Sequence, residues 1–498
     1  MKKDRSLLLN TITPLLLEVV TIISGFIVPR LILSYFGSSV NGLVQSITQF
    51  LAVISFLEMG VGSVIRFNLY KPLANKDKDQ ISRVIVAANK FFKTLALILL
   101  GYTLVLMLVY PFFGQQEFSG LYSALLIAAM SISSFAQYFF GQVNQILLTA
   151  DQKGYIQYIA QIITIVLNTI ACVVLINLGA GIHIVKLSTS LIFLLRPLFL
   201  EWYVRRHYSI NYNIEYNEEP IKQKWNGVSQ HISAVILDQT DVIVLTLQSS
   251  LSNVSIYAAY NMIVAGVKKL ITTATSGIQA KLGDIIARDN EEELETVFSH
   301  TEWIIHTVAV FLFGCTLVLI VPFIMVYTRG VSDANYNVPL FAALITLANA
   351  SHSLRLPYSM LILTAGHYKQ TQHSYLIAAG INIVVSIVLV YFYGLIGVAI
   401  GTLVSMTYQT SWMAWYSYKN IVHRKLSRFY KLLIFDALCL ISIIIVNKHI
   451  SIQVIDYKSW LFQAVICALI SAAIVITFNV IFYKTQIKSI FQKVRALR

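Results

Sequence analysis

Apolar runs of about twenty residues or more, parted by short polar turns, recur along the whole chain. Crossing roughly 30 Å of hydrocarbon takes about 20 apolar residues in a helix. That ruler predicts fourteen helices, at 8 to 36, 41 to 65, 91 to 113, 120 to 149, 155 to 177, 182 to 203, 229 to 247, 254 to 280, 300 to 328, 338 to 365, 372 to 393, 395 to 417, 431 to 447 and 459 to 483. The polar segments alternate in kind. One set is long and charged (NLYKPLANKDKDQISR, RRHYSINYNIEYNEEPIKQKWNG, ARDNEEELET and YKNIVHRKLSRFYK), and the other is tiny (GSSVN, GQQEF and NLGAG). The expected class is an all-α polytopic membrane protein with about 14 transmembrane helices. Its expected parts are an N-lobe of six spans (1–204), a cytoplasmic linker (205–228), a C-lobe of six spans (229–417), and a helix pair with a basic tail (418–498).

Composition agrees: 57% hydrophobic residues, 12% charged and a mean hydropathy of +0.71 leave too little polar surface for a water-soluble globule. A net charge of +14 can indicate nucleic acid, but here the cations are spread over short loops and no soluble domain exists to present a patch. Only Arg329, Lys448 and Lys458 fall in the tiny loops. By the positive-inside rule the long loops and both termini are cytoplasmic. MKKDRSLLLN opens on a basic stretch, but the apolar run continues past Glu18 without a small-residue cleavage site, so a retained first helix is expected rather than a signal peptide. The cysteines, 172, 315, 439 and 467, lie in apolar runs without metal spacing and read as small core residues. His183, His306 and His373 read as isolated and interfacial.

Residues 29 to 74 carry Arg30, Glu58, Arg66 and Lys71 through apolar surroundings, and a weak copy begins 211 residues later at Thr240. Ser38-Ser39 match Ser249-Ser250, and Pro111-Phe112 match Pro322-Phe323. At an offset of 215, Thr149-Ala150 match Thr364-Ala365 and Gly179 matches Gly394. The collinear matches predict two parallel-related lobes, as in many transporters. In this register Arg30 falls opposite Asp241, and Glu58 opposite Lys269. An ionisable group at a helix centre costs about 2.5 to 3.5 kcal/mol on insertion scales, so such residues must face protein or a wet cavity. Arg30, Glu58, Arg66, Lys268, Lys269, Arg196 and Arg355 are the candidates for a substrate cavity. Asp238, Asp241 and Glu18 are the candidates for a gate or cation site. Structural ion pairs with neighbouring helices are the competing reading for Asp238, Asp241, Glu58, Lys268 and Lys269, snorkelling to headgroups is that for Arg66, and a polar stripe packed on another helix is that for Arg355.

Asn41-Gly42-Leu43, Glu58-x-Gly60-x-Gly62, Leu69-Tyr70-Lys71-Pro72-Leu73, TAGHYKQ at 364 to 370 and LIGVAIGT at 395 to 402 together resemble the polysaccharide flippases (Wzx-like) of the multidrug, oligosaccharidyl-lipid and polysaccharide (MOP) exporter superfamily. The resemblance implies a flippase that moves a polyprenyl-diphosphate-linked oligosaccharide from the inner to the outer leaflet of the bacterial cytoplasmic membrane by rocking of two lobes. It implies that the first, second, seventh and eighth spans line the cavity and that the last two helices can form a groove for the lipid tail. It also implies a lipid-linked oligosaccharide, membrane lipids, a polysaccharide polymerase and other export machinery as partners, with no cofactor and no nucleic acid. Coupling to Na+, H+ or the membrane potential stays open.

Two alternatives stand beside it. A cation-coupled multidrug (MATE-type) antiporter would use the same scaffold, usually with twelve spans and an acidic cavity. A membrane-embedded polysaccharide polymerase or ligase would need a sizeable outer loop, and the outer loops are nearly empty. Neither a metal-spaced cluster nor a glycine-rich nucleotide loop occurs, so a non-enzyme is expected.

Overall fold

The computed structural model describes residues 2–58, 61–113, 117–215, 239–449, 454–484 and 486. Among them the regular structure is helical, with no strand. In order the helices are α1 (Lys2–Ala52), α2 (Val61–Asn75), α3 (Lys78–Val109), α4 (Gly120–Ala136), α5 (Gln142–Ala150), α6 (Gly154–Asn177), α7 (Ile182–His207), α8 (239–248), α9 (Leu251–Ala287), α10 (Glu291–Tyr327), α11 (Pro339–Leu354), α12 (Leu356–Thr364), α13 (Tyr368–Tyr393), α14 (Leu395–Asn420), α15 (Ser427–Lys448) and α16 (Tyr457–Phe482). Ten stretches among the described residues are long and apolar enough to cross a membrane, which makes this a multi-pass membrane protein. Helix α14, with Thr402, Ser405, Gln409 and Thr410 along it, is not among the ten.

Several boundaries differ from the sequence expectation, each for a physical reason. The first two predicted spans are one continuous helix, α1, kinked where Gly37 takes φ 84°. Only glycine tolerates that conformation cheaply, so the polar turn shrinks to a single residue. The second span is itself broken. Its helix gives way to a 3-10 turn at Val53–Leu57, Glu58 follows, and helix resumes at Val61. Helix α3 starts thirteen residues before the predicted 91, capped by the Asp77 side chain accepting from the Gln80 N–H. Beyond the hydrocarbon, Lys, Gln and Arg continue a helix as readily as apolar residues do. The fourth span carries a π-helical turn at Gln137–Gly141 between α4 and α5, and the tenth breaks at Arg355, where Pro357 removes a backbone donor from the first turn of α12. Asp238 and the predicted start of the seventh span lie outside the described residues.

The repeat read from the sequence has backbone counterparts. Gly179 and Gly394 both have positive φ, 77° and 52°, and each stands in a helix-to-helix turn. The Thr-Ala pairs at 149 and 364 each close a helix, and the Lys153 and His367 N–H groups bond back to the carbonyls of Leu148 and Ile362.

The chain divides into two compact units, residues 1–235 with 250–255, and residues 236–249 with 256–498. In the first, α6 packs on α1 and α7, and α7 also packs on α4. There the Asn41 side chain donates to Ser255 Oγ at 2.7 Å, and a Cβ on Gly42 would lie 1.8 Å from the Leu251 carbonyl oxygen. In the second unit α14 is gripped by α11 and α13, and α10 carries α15 and α16. Gly397 and Gly401, spaced four apart on α14, let its backbone meet Leu389 and Ser386 of α13.

Helix α16 opens on a reciprocal cap: Asp456 accepts from the Ser459 N–H at 2.8 Å, and Ser459 Oγ receives the Asp456 N–H at 3.0 Å. The backbone bond from Ser459, then its hydroxyl, hold the Asp456 carboxyl below the usual carboxylate range. A depressed pKa contributes stability that is present above the unfolded value and lost as pH falls through the folded one. Amide exchange in the first turn of α16 is therefore expected to be protected at neutral pH and to lose that protection in acid. Asp456→Ala should exchange fast at both.

Candidate functional site

In the first unit a cavity of about 280 Å³ opens among Glu58, Ser133, Ser134, Gln137, Tyr138, Gln161, Thr164, Phe193 and Arg196. The π-helical turn shapes it, because the extra residue per turn rotates successive side chains toward one side. Gln137, Gln142 and Gln145 form a ladder: Gln137 Nε2 donates to Gln142 Oε1 at 2.9 Å and to Gln145 Oε1 at 3.2 Å. Gln142 Nε2 donates to Glu58, and the Tyr138 hydroxyl donates to the same carboxylate. Arg196 Nη2 donates to Gln145 Oε1 at 2.8 Å and Gln157 Oε1 at 3.1 Å, while its Nε is buried without a partner. Among the described residues Arg196 is thus held by neutral carboxamides, with no carboxylate in ion-pair distance.

In the second unit Asp241 on α8, 2% exposed, is the centre of a buried cluster of oxygen atoms. Its Oδ2 accepts from the Tyr257 hydroxyl at 2.8 Å and the Thr402 hydroxyl at 2.7 Å. Its Oδ1 accepts from Asn382 Nδ2 at 3.4 Å, and Asn382 bonds Thr402 Oγ1 at 3.3 Å while its own Oδ1 is buried without a partner. A carboxylate, an amide oxygen and a hydroxyl are the donor types that hard cations take.

A basic group stands elsewhere in the same unit. His352, half-buried with its Nδ1 buried and unpartnered, lies within electrostatic reach of Arg355 and Lys268. Arg355 is 8% exposed and occupies the α11–α12 junction, with its Nη1 4.0 Å from Met406 Sδ. Lys268 is half-buried on α9, whereas Lys269 beside it is exposed. The helical step of 100° per residue turns the two lysines apart along α9. Arg30 and Glu18 are half-buried on α1, and Arg66 is half-buried on α2 with its Nε buried and unpartnered.

His306 is neither isolated nor interfacial. It is 2% exposed, and its Nδ1 lies 2.6 Å from Asp436 Oδ2 of α15. Nearby, Glu302 Oε1 accepts from the Tyr358 and Tyr418 hydroxyls, both at 2.7 Å. Arg424 Nη1 approaches Glu302 Oε2 at 3.8 Å. With both signs present and the tyrosines filling the remaining space, this cluster ties α10, α12, α14 and α15 together. The four cysteines are free thiols, and no group of three or more potential metal ligands occurs among the described residues.

The sequence reading singled out Glu58, Arg196 and Asp241 but not the uncharged groups that surround them. The signal for the first unit was QYFFGQVNQ, three glutamines at i, i+5 and i+8 inside an apolar run. The second, Asp241 with Asn382 and Thr402, joins three distant helices and left no local signal.

No family model and no curated protein sequence matches this chain. Among solved structures, the lipid II flippase MurJ in an inward closed conformation superposes with a TM-score of 0.71 at 15% identity, covering 95% of this chain and 100% of that one. An inward-facing multidrug resistance MATE family transporter of the MOP superfamily gives 0.62 at 15% identity, over 79% of this chain and 93% of its own. The chain shares its backbone fold with these two proteins. A eukaryotic MATE transporter, AtDTX14, shares it at 0.55 and 13% identity, over 83% and 95% of the two chains.

Proposed function

We propose that this protein is a MOP-type flippase, not an enzyme, that moves a polyprenyl-diphosphate-linked oligosaccharide across the bacterial cytoplasmic membrane by alternating access. The observation that carries the reading is the character of the first unit's cavity. One carboxylate, one guanidinium and a ladder of carboxamides offer alternating donors and acceptors with no excess of negative charge. Such a wall suits a neutral polyhydroxylated group and a phosphate, and suits an organic cation poorly. The likeness of almost the whole chain to a lipid II flippase supports the same reading. Asp241, Asn382 and Thr402 would hold a coupling cation or proton in the second unit, and Arg355 with Lys268 would add positive charge for the diphosphate.

Depletion of the protein in its host is expected to stop surface polysaccharide and to accumulate the lipid-linked oligosaccharide in the inner leaflet. A MATE-type antiporter shares the fold and would use the acidic Asp241 site. Cation-driven efflux of a cationic dye, with surface glycan unchanged on depletion, would establish that reading instead.

A further inference from the structure

Thr164 and Arg196 line two cavities at once. One is the polar cavity described above. The other is an apolar groove of about 290 Å³ between α6 and α7, lined by Tyr155, Ile159, Ile163, Leu167, Leu195 and Phe199. Ile159, Ile163, Leu167, Leu195 and Phe199 are all at least 40% exposed, as befits side chains that face hydrocarbon. The only polar groups in its lining are Tyr155, Thr164 and Arg196.

We infer that this groove is a lateral portal in which the isoprenoid chain of the substrate leaves the polar cavity, with Arg196 holding the phosphate at the crossing. The inference rests on the flippase reading and adds to it the path of the lipid tail through the first unit. Depth identifies the occupant. Arg196 lies 11 residues from His207 and 14 from Ile182, so about 17 Å and 21 Å from the two ends of α7 at 1.5 Å per residue. A resident phospholipid keeps its phosphate at the interface and would lay its tail in the groove without meeting the guanidinium. A lipid phosphate that is being carried across must pass mid-membrane, where a cation held only by neutral amides is a partner of the right sign. The groove extends from Tyr155 to Leu167, about 18 Å along α6, room for several isoprene units. Arg196 is poised for the exchange, because Gln145 Oε1 keeps the Gln137 donor when a phosphate takes its place on the guanidinium. Its Nε has no bond to give up.

The test uses the full-length protein in vesicles of phosphatidylethanolamine and phosphatidylglycerol. The probe is a polyprenyl-diphosphate disaccharide with a diazirine in its first isoprene units, and flipping and photolabelling are read together. Label is expected on peptides 155–167 and 195–199. Arg196→Gln should lower it about tenfold, the scale of one charge-assisted hydrogen bond, and Arg196→Lys should retain most of it. Leu195→Trp, which fills the groove and leaves the charge, should lower label and flipping together in protein that elutes as a single species. A diazirine phosphatidylglycerol should label less, and indifferently to Arg196→Gln. If the two probes label alike and neither responds to Arg196→Gln, the groove is a site for bulk lipid and the inference fails. If the vesicles flip the disaccharide lipid while label falls on other helices, the portal is wrong and the flippase reading stands. If wild-type vesicles neither flip nor label, both fall.

Discussion

Asp241→Asn is expected to abolish the response of transport to an ion gradient while leaving the protein folded. The exchange keeps the shape of the side chain and removes a charge that is 2% exposed, and the amide oxygen of asparagine can still accept from the Tyr257 and Thr402 hydroxyls. What is lost is the anionic centre on which the Tyr257 and Thr402 hydroxyls and the Asn382 amide converge. Charged contacts are worth about 1.5 to 3 kcal/mol each, so cation affinity measured by calorimetry should fall about 100-fold or more. Asn382→Ala separates the two ions. It removes the unpartnered Oδ1, which a sodium ion would ligate and a proton would not need. Loss of Na+ affinity with proton-driven transport intact would assign the proton, and loss of transport in both conditions the metal ion. Gradient-driven transport by Asp241→Asn at the wild-type rate would remove this cluster from the coupling mechanism altogether.

Gly397→Val should destroy the protein rather than its activity. A Cβ at Gly397 would stand 2.3 Å from the carbonyl carbon and oxygen of Leu389 and 2.7 Å from the Val390 nitrogen, all backbone atoms of α13. Flexible side chains can move aside, but two helix backbones must part, at a cost of about 3 kcal/mol or more. Against a typical total of about 5 to 15 kcal/mol, detergent-solubilised variant is expected to lose its monodisperse peak and most of its yield. Gly401→Val should behave the same way, since its Cβ would stand 2.9 Å from the Ser386 nitrogen and 3.1 Å from its Cα, both backbone atoms of α13. Gly380→Ala on α13 is the control. Nothing lies within 4 Å of its Cβ, so the melting temperature should hold or rise.

The contrast between those glycines shows where sequence reading reaches and where it stops. Hydrophobic length announced the membrane helices, because the bilayer imposes it locally on each span. The repeat was legible for a related reason: Gly179 and Gly394 must take positive φ, and only one residue type does so freely. Interruptions were harder. Glu58 looks like a charge within a span, and the break beside it follows from how the 3-10 turn ends. Lys268 and Lys269 looked equivalent as neighbours, although the helix turns them apart. The site residues divide similarly. Charges in apolar runs stand out because they are costly there, and Arg196 and Asp241 were found that way. Their partners are glutamine, asparagine, threonine and tyrosine, whose modest polarity draws no notice until helices bring them within hydrogen-bond distance.

The seams between α10 and the final helix pair set how that pair can move. Trp303 Nε1 donates to Asn479 Oδ1 at 2.5 Å near one end of α16, and Trp460 Nε1 donates to the Leu319 carbonyl at 3.2 Å near the other. Residues 303 and 319 are about 24 Å apart along the axis, and the His306–Asp436 bond fastens α15 within the same stretch. Pinned at both extremes, the described part of the pair is held along α10. In any rocking motion it is cargo on α10, sweeping through the lipid as an outrigger whose drag the second unit must carry on each stroke.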